Sequence, residues 1–423
     1  MNLPEALLSR RTPKSYRTGT HRAVDPNKTL ARIQPLLPVF GITRLANITG
    51  LDSIGIPVYM SCRPNSRSLA VFQGKGLDNA SAKVSAAMEA IETYHAETMD
   101  HPLKFLSYED LRYGHLAVDV ERLPFSQQST YDPLAPILWI EGMDYLCGQS
   151  KWLPFELVHS NYTLPALTGS GAFVANTNGL ASGNCMAEAL CHALYEVIER
   201  DAVTLWKFSE PDLQDEGVID LDGVSDPACQ ALLEKFEQAQ IDVVVWDVTS
   251  DVGLPCFLCL AAGASLANGV PEFGAGCHSN ASVALCRALS EAAQARTTYI
   301  AGARDDITAP NYSQAAKKER FDQARETIQA AAPRRDFAMV PDSFQETFEE
   351  ELQAILAALT HVGVTEVLAV DLTRPGLNIP VVRAVVPGLE TAFESPESDY
   401  VPGERAMEIL QRRDDDAICE DRS

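Results

Sequence analysis

Glu188, His192, Glu196 and Glu199 follow one another at spacings of four, four and three residues. At about 100° per residue they fall near 0°, 40°, 80° and 20° around a helix axis, so one face carries three carboxylates and an imidazole. Arg200 and Asp201 lie at its margin. Glu89 and Glu92 are neighbours on another helical stretch, with Ser85 one turn earlier. An exposed helix normally places Lys four residues from Glu, and neither cluster has one. Like charges stacked this way cost about 0.3 kcal/mol per pair unless a cation sits between them. Magnesium takes carboxylate oxygens in octahedral geometry and keeps waters and phosphates as further ligands. Ala187, Ala189, Leu190, Ala193, Leu194, Val197 and Ile198 point to a helix buried on most sides. The residues alone leave two readings, a metal or nucleotide site and a set of glutamates facing solvent. His192 reads equally as a packed core histidine, so the metal set omits it.

Phosphate-binding loops are the next chemistry to look for. The chain has no GxxxxGK[ST], and no GxGxxG opens a helix after a strand. QGKG (73–76), TGSG (168–171) and NGLASGN (178–184) could each bring backbone N–H groups to phosphates, the last at a helix N-terminus. Two of these loops precede a glutamate-bearing helix.

Composition narrows the classes. The 423 residues carry 34 Lys+Arg against 58 Asp+Glu, a net charge of -24, which repels nucleic-acid backbones and excludes a broad basic binding face. With 46% hydrophobic and 22% charged residues the chain is of ordinary globular composition. Ten cysteines are too dilute for a disulfide scaffold. Cys256 and Cys259 form a CxxC without a second pair at zinc spacing, in a run that reads as a buried strand. The first residues hold no apolar secretory core, and no apolar stretch nears the ~18 residues of a membrane span. The expected location is the cytoplasm, with reduced thiols.

The elements that must position the glutamates are legible in outline. Strands are expected at 42–49 and 56–62 and a helix from about 78 to 98, followed by an irregular stretch to 135. Residues 137–146 and 151–158 form a hairpin, and a long helix spans about 184–207. Helices at 226–240, 282–302, about 312–331 and 344–360 alternate with strands at 241–248, 254–262 and near 364–386. The fold class is α+β with mixed sheets. A single body over 1–423 is expected, with an N-terminal part to about 165, a core at about 70–310 and a C-terminal part from about 311. SAAMEAIE (85–92), HALYEVIER (192–200) and RALSEAAQAR (287–296) share a weak likeness, as if repeated elements converged on one site.

NGLASGNCMAEALCHALYEVIERDA (178–202) resembles the signature of the YcaO superfamily, roughly NGxAxGxxxxEAxxHAxxExxERDA, at every specified position. SAAMEAIE resembles the family's SxxxExxE, and SEAAQARTTYIAGARDD (290–306) its ExxQxR and GxRDD segments. The likeness runs from about residue 14 to 400. It implies a YcaO-like fold whose helices hold magnesium and ATP without a P-loop. It further implies magnesium ligands at Glu89, Glu92, Glu188, Glu196 and Glu199. Nucleotide contacts are implied at Arg22, Thr29, Ser85, Asn184, Arg200 and Arg304, while Gln294 and Arg296 are candidates to line the site. No catalytic side chain is implied.

The implied chemistry is activation of a peptide backbone amide by phosphorylation of its oxygen. Attack by a neighbouring Cys, Ser or Thr of the substrate gives an azoline, and attack by external sulfide gives a thioamide. Residues 16–76 resemble YcaO proteins that work with a TfuA partner, and the chain ends RRDDDAICEDRS without the proline-rich tail of many azoline-forming members. The expectation is therefore thioamidation of a ribosomally made peptide with a TfuA-like partner. Cyclodehydration, or an accessory role in methylthiolation of a ribosomal protein, are the alternatives. A separate peptide-recognition protein and a homodimer are further expectations.

Overall fold

The computed structural model describes residues 3–393 and 398–420. Two similar units dominate it. Strands Arg44–Asn47, Val58–Cys62 and Val71–Lys75 form an antiparallel meander that leads into the helix Asn79–Glu97. Strands Ile241–Asp247, Cys256–Gly263 and Glu272–Cys277 form a second antiparallel meander, which leads into the helix Ala281–Ala301. Between them in the chain, the short strand Leu180–Ser182 edges a six-stranded sheet and leads into the helix Met186–Phe208. These are the first (79–97), third (281–301) and second (186–208) helices of the site.

Each helix has a sequence-level reason to begin where it does. Asp78 accepts the Ser81 N–H at 2.8 Å, Asn280 accepts the Val283 N–H at 3.0 Å, and the Cys185 sulfur accepts the Glu188 N–H. Gly302, at φ +57°, ends the third helix in the left-handed conformation. Alanines recur every four residues along the buried faces, at 82, 86 and 90 and again at 284, 288 and 292. Opposite them stand Gly74 and Gly274. A Cβ on Gly74 would lie 1.9 Å from the Ala86 nitrogen, and one on Gly274 would lie 2.1 Å from the Ala292 nitrogen. Small faces on both sides thus bring helix backbone onto strand backbone.

The mixed sheets, the long helices and the hairpin of 137–144 with 150–154 match the sequence reading. Three strands with glycines in or beside them do not: Val71–Lys75, Leu180–Ser182 and Glu272–Cys277 lack the β-branched run that marks a strand. The stretch expected to be irregular also holds the strand Leu103–Leu106 and the helix Tyr108–Gly114. QGKG is therefore mostly strand, not a loop at a helix start.

Cys256 and Cys259 lie three apart on one strand and so face opposite sides. Cys256 packs with the second helix and Cys259 with the third, as small apolar groups. The nine cysteines from Cys62 to Cys286 are free. Among the described residues no helix is long and apolar enough to cross a membrane. The last three residues of the acidic C-terminal stretch lie outside the described residues.

Candidate functional site

The three helices converge with their carboxylates inward. Glu89 and Glu92 of the first helix feel one another and Glu196 of the second, and Glu196 and Glu199 of the second feel Glu291 of the third. Burial pushes the carboxyls of Glu89 and Glu92 up to about 7 and about 8. Glu199 rises to about 7, first through burial and then through the negative charge of Glu291. Glu196 is raised by burial as well. Burial opposes the charge of Glu291 too, but Lys75 and Arg200 beside it hold it below the ordinary carboxylate range. Lys75 forms an ion pair with Glu291.

Backbone N–H groups from the three adjoining strands aim these carboxylates. Gln73 donates to Glu89 at 3.2 Å, Cys277 to Glu199 at 3.1 Å and Ala275 to Glu291 at 3.4 Å. Ser182 gives Glu92 both its N–H at 2.9 Å and its hydroxyl at 2.6 Å. The glycine motifs thus spend these amides on carboxylates rather than on phosphates. The end of TGSG does the same elsewhere: the N–H groups of Gly171 and of the next two residues, Ala172 and Phe173, all donate to Glu156.

Glu188 stands apart from the other four predicted ligands. It lies eight residues before Glu196, roughly 12 Å along the helix axis. Its oxygens accept from the backbone N–H groups of Asn184 at 3.0 Å and Ala23 at 3.4 Å, and Arg22 Nε lies 3.9 Å away. Asn184 continues this brace: its side-chain oxygen accepts from the Thr29 hydroxyl at 2.9 Å and from Arg32 at 3.0 Å. Arg22, Thr29, Asn184 and Glu188 are therefore one cluster at the start of the second helix. The segment carrying Arg22 is anchored by a buried Lys14–Glu351 pair at 2.8 Å.

His192 links the two clusters. Its Nδ1 faces the Ser182 carbonyl at 3.3 Å and its Nε2 meets Arg22 Nη1. Burial, reinforced by Arg22, pushes its basicity far down, so the ring is neutral. An Arg nitrogen always donates, so Nε2 accepts and the proton sits on Nδ1.

Ser85 is half-buried on the first helix, where its backbone abuts Gly74. Arg200 draws Glu196, Glu199 and Glu291 toward ionisation. Arg304, in the turn after the third helix, bonds Asp306 and influences Glu89. Arg296 does not join them: its guanidinium is buried against Asp52, at 3.0 Å, and the Val270 carbonyl. Sequence reading passed over Glu291, Lys75 and Arg287, whose Nη1 bonds the Cys277 carbonyl at 2.9 Å. The likeness of 287–296 to the other two glutamate helices was the signal for Glu291.

Residues 73–390 match the family model described as YcaO cyclodehydratase, ATP- and Mg2+-binding. The chain is 36% identical over 379 residues to an uncharacterised protein from the tfuA 3′ region of Rhizobium leguminosarum bv. trifolii, covering 87% of this chain and 88% of that one. It is 33% identical over 387 residues to an uncharacterised Methanothermobacter thermautotrophicus protein, covering 89% and 97%. Among solved structures it resembles YcaO from Methanopyrus kandleri bound with AMPPCP and Mg2+, with TM-score 0.71, 22% identity and 93% and 100% coverage. It also resembles a heterocyclase in complex with substrate and cofactor, with TM-score 0.73 and 23% identity over 90% of this chain. It spans about half of that heterocyclase, 54%. These two likenesses carry the fold.

Proposed function

This chain belongs to the YcaO family, whose cofactors are ATP and Mg2+, and from that premise we propose that it phosphorylates the oxygen of a peptide backbone amide to install a thioamide, working with a TfuA-like partner. The observation that carries the reading is the convergence of Glu89, Glu92, Glu196, Glu199 and Glu291 from three helices. Three of these carboxyls hold protons near neutral pH because burial leaves their charge uncompensated, and divalent cations fit where those protons sit. Glu89, Glu92, Glu196 and Glu199 would hold magnesium, with Glu291 beside them. Glu188 would act through Arg22 and Asn184, with Thr29, to shape the nucleotide end, while Ser85, Arg200 and Arg304 would meet the nucleotide from the carboxylate side.

When bound, ATP supplies the γ-phosphoryl group and magnesium screens its charge. The chain's own residues orient and exclude. Backbone N–H groups of strands 71–75, 180–182 and 272–277 keep the carboxylates from swinging apart. Neutral His192 holds Arg22 without adding a charge. Thioamide formation is favoured over azoline formation by the relative from the tfuA 3′ region.

The test is reconstitution with a TfuA-like protein, ATP, Mg2+, a sulfide source and precursor peptides encoded beside the gene. Exchange of amide oxygen for sulfur adds about 16 Da, whereas azoline formation removes about 18 Da as water, and both need the activated oxygen to leave. A gain at a backbone amide is expected. Loss of water at Cys, Ser or Thr selects the cyclodehydratase, and no change in mass with ATP left intact refutes both.

A further inference from the structure

Asp226, Cys229 and Cys286 bring a carboxylate and two thiols together outside the glutamate chamber. Asp226 caps the helix Pro227–Gln238, its Oδ1 accepting the N–H groups of Ala228 at 2.9 Å and Cys229 at 3.0 Å. Cys229 stands in the first turn of that helix, and Cys286 stands on the third helix of the site, which also carries Glu291. The two sulfurs lie 3.4 Å apart, and a carboxylate oxygen of Asp226 and both sulfurs fall within 4.8 Å of one another. Both cysteines are buried, while Asp226 is half-buried, so the group reaches the surface on one side. Among the described residues Cys286 Sγ has no polar partner but Cys229 Sγ, which also meets the Ser282 carbonyl at 3.3 Å. The Cys286 sulfur, burial and the Asp226 charge all push the Cys229 thiol up. Asp226 has no ion pair among the described residues, only the helix amides. Three groups that can each carry a negative charge thus converge with no side-chain cation between them.

Thiolates joined by a carboxylate suit zinc rather than magnesium, and two sulfurs each about 2.3 Å from a tetrahedral zinc stand roughly 3.8 Å apart. The sulfurs here need move only a few tenths of an ångström to meet that geometry. Two thiolates and a carboxylate set a charge of about −3 against +2, and the amides at the helix N-terminus take up the remainder. The other convergence of ligand types, His21, His278 and Glu351, differs: the Lys14 ammonium already sits 2.8 Å from Glu351 Oε1, and a divalent ion beside it would bury positive charge without compensation. We propose that Asp226, Cys229 and Cys286 form a second metal site, which holds a zinc-class divalent cation and ties the helix Pro227–Gln238 to the helix that carries Glu291. Binding displaces the two thiol protons to solvent and leaves both sulfurs as thiolates, with no change of oxidation state. The Ser282 carbonyl is the nearest group for the fourth position. The site stands whether or not the amide-activating reading holds.

The probe is Co2+, titrated into the full chain after reduction, chelator treatment and desalting, with Mg2+ in excess to fill the glutamate chamber. Thiolate ligands give tetrahedral Co2+ an intense near-ultraviolet charge-transfer band that oxygen ligands do not give. In the unaltered protein this band rises to saturation at one Co2+ per chain, and Zn2+ abolishes it by displacement. Cys229→Ser and Cys286→Ser each lower the band and weaken Co2+ binding by about tenfold or more, since even outer-shell partners of a metal are worth that much. Asp226→Asn keeps the helix cap and so reports even where a serine variant does not fold; it retains the band at about tenfold weaker affinity. No band in the unaltered protein overturns the proposal. A band and affinity unchanged in the variants overturn it too, since the cobalt then sits on other cysteines.

Discussion

Arg22 is held in place by two different kinds of group, the buried carboxylate of Glu188 and the neutral ring of His192. The imidazole is fixed in turn by the Ser182 carbonyl, two atoms from the N–H that grips Glu92. His192→Phe keeps an aromatic ring of similar bulk and removes the acceptor for Arg22. We expect Mg2+–ATP affinity to fall about tenfold, the scale of a hydrogen bond to a charged group, with the thermal midpoint little changed. Calorimetry gives the first quantity and a melting curve the second; unchanged affinity would reduce His192 to packing. At this scale the carboxylates were readable because i, i+3 and i+4 spacing fixes which side chains share a helix face. Their partners were not. Lys75 and Arg287 reach the site from a different strand and a different helix, and no spacing within one segment reports that. The place of Arg296 is hidden for the same reason, since nothing in 287–296 shows that Asp52 waits on its side of the helix.

The strand–helix unit is where the close approach of backbones decides the site. Gly74 and Gly274 each let an alanine-lined helix sit on the strand whose N–H groups aim the glutamates. Gly74→Ala and Gly274→Ala must push helix from strand, because backbone cannot yield as a flexible side chain does. Each should destabilise the protein by about 3 kcal/mol or more, whereas Gly50→Ala, with nothing within 4 Å of the added carbon, should stay within about 0.5 kcal/mol. Chemical denaturation measures both, and equal stability of all three variants would contradict the packing argument. The same glycines explain what was legible among the elements. Long Ala- and Glu-rich helices announce themselves by period and caps. The strands they pack on carry glycine within them or at their ends where a strand normally continues with Val or Ile, so QGKG and NGLASGN read as loops.

Across the whole molecule, buried carboxylates set how stability depends on pH. Glu89, Glu92 and Glu199 hold protons up to about 7, about 8 and about 7 in the fold, while an unfolded Glu releases its proton near 4.5. The folded chain therefore binds more protons than the unfolded one in this range, and stability falls as pH rises through those values. The buried histidines act oppositely only below about 6.5, where the unfolded chain takes up their protons. Between pH 7 and 8.5 the carboxylates should dominate, so the thermal midpoint of the free protein should drop. Mg2+ with ATP should reverse the drop, because it binds the deprotonated form and releases protons. A midpoint that climbs over this range without ligand would argue against a carboxylate chamber short of cations. The central claim is that carboxylates from separate helices jointly hold one magnesium–nucleotide complex. Calorimetric titration of ATP with Mg2+ into the unaltered protein, Glu89→Gln and Glu199→Gln tests it most directly, since each variant loses one charge from a different helix and keeps its shape. We predict tight magnesium-dependent binding in the first and its loss in both variants, with their melting midpoints equal to or above that of the free unaltered protein; unchanged nucleotide affinity in both variants would contradict the account.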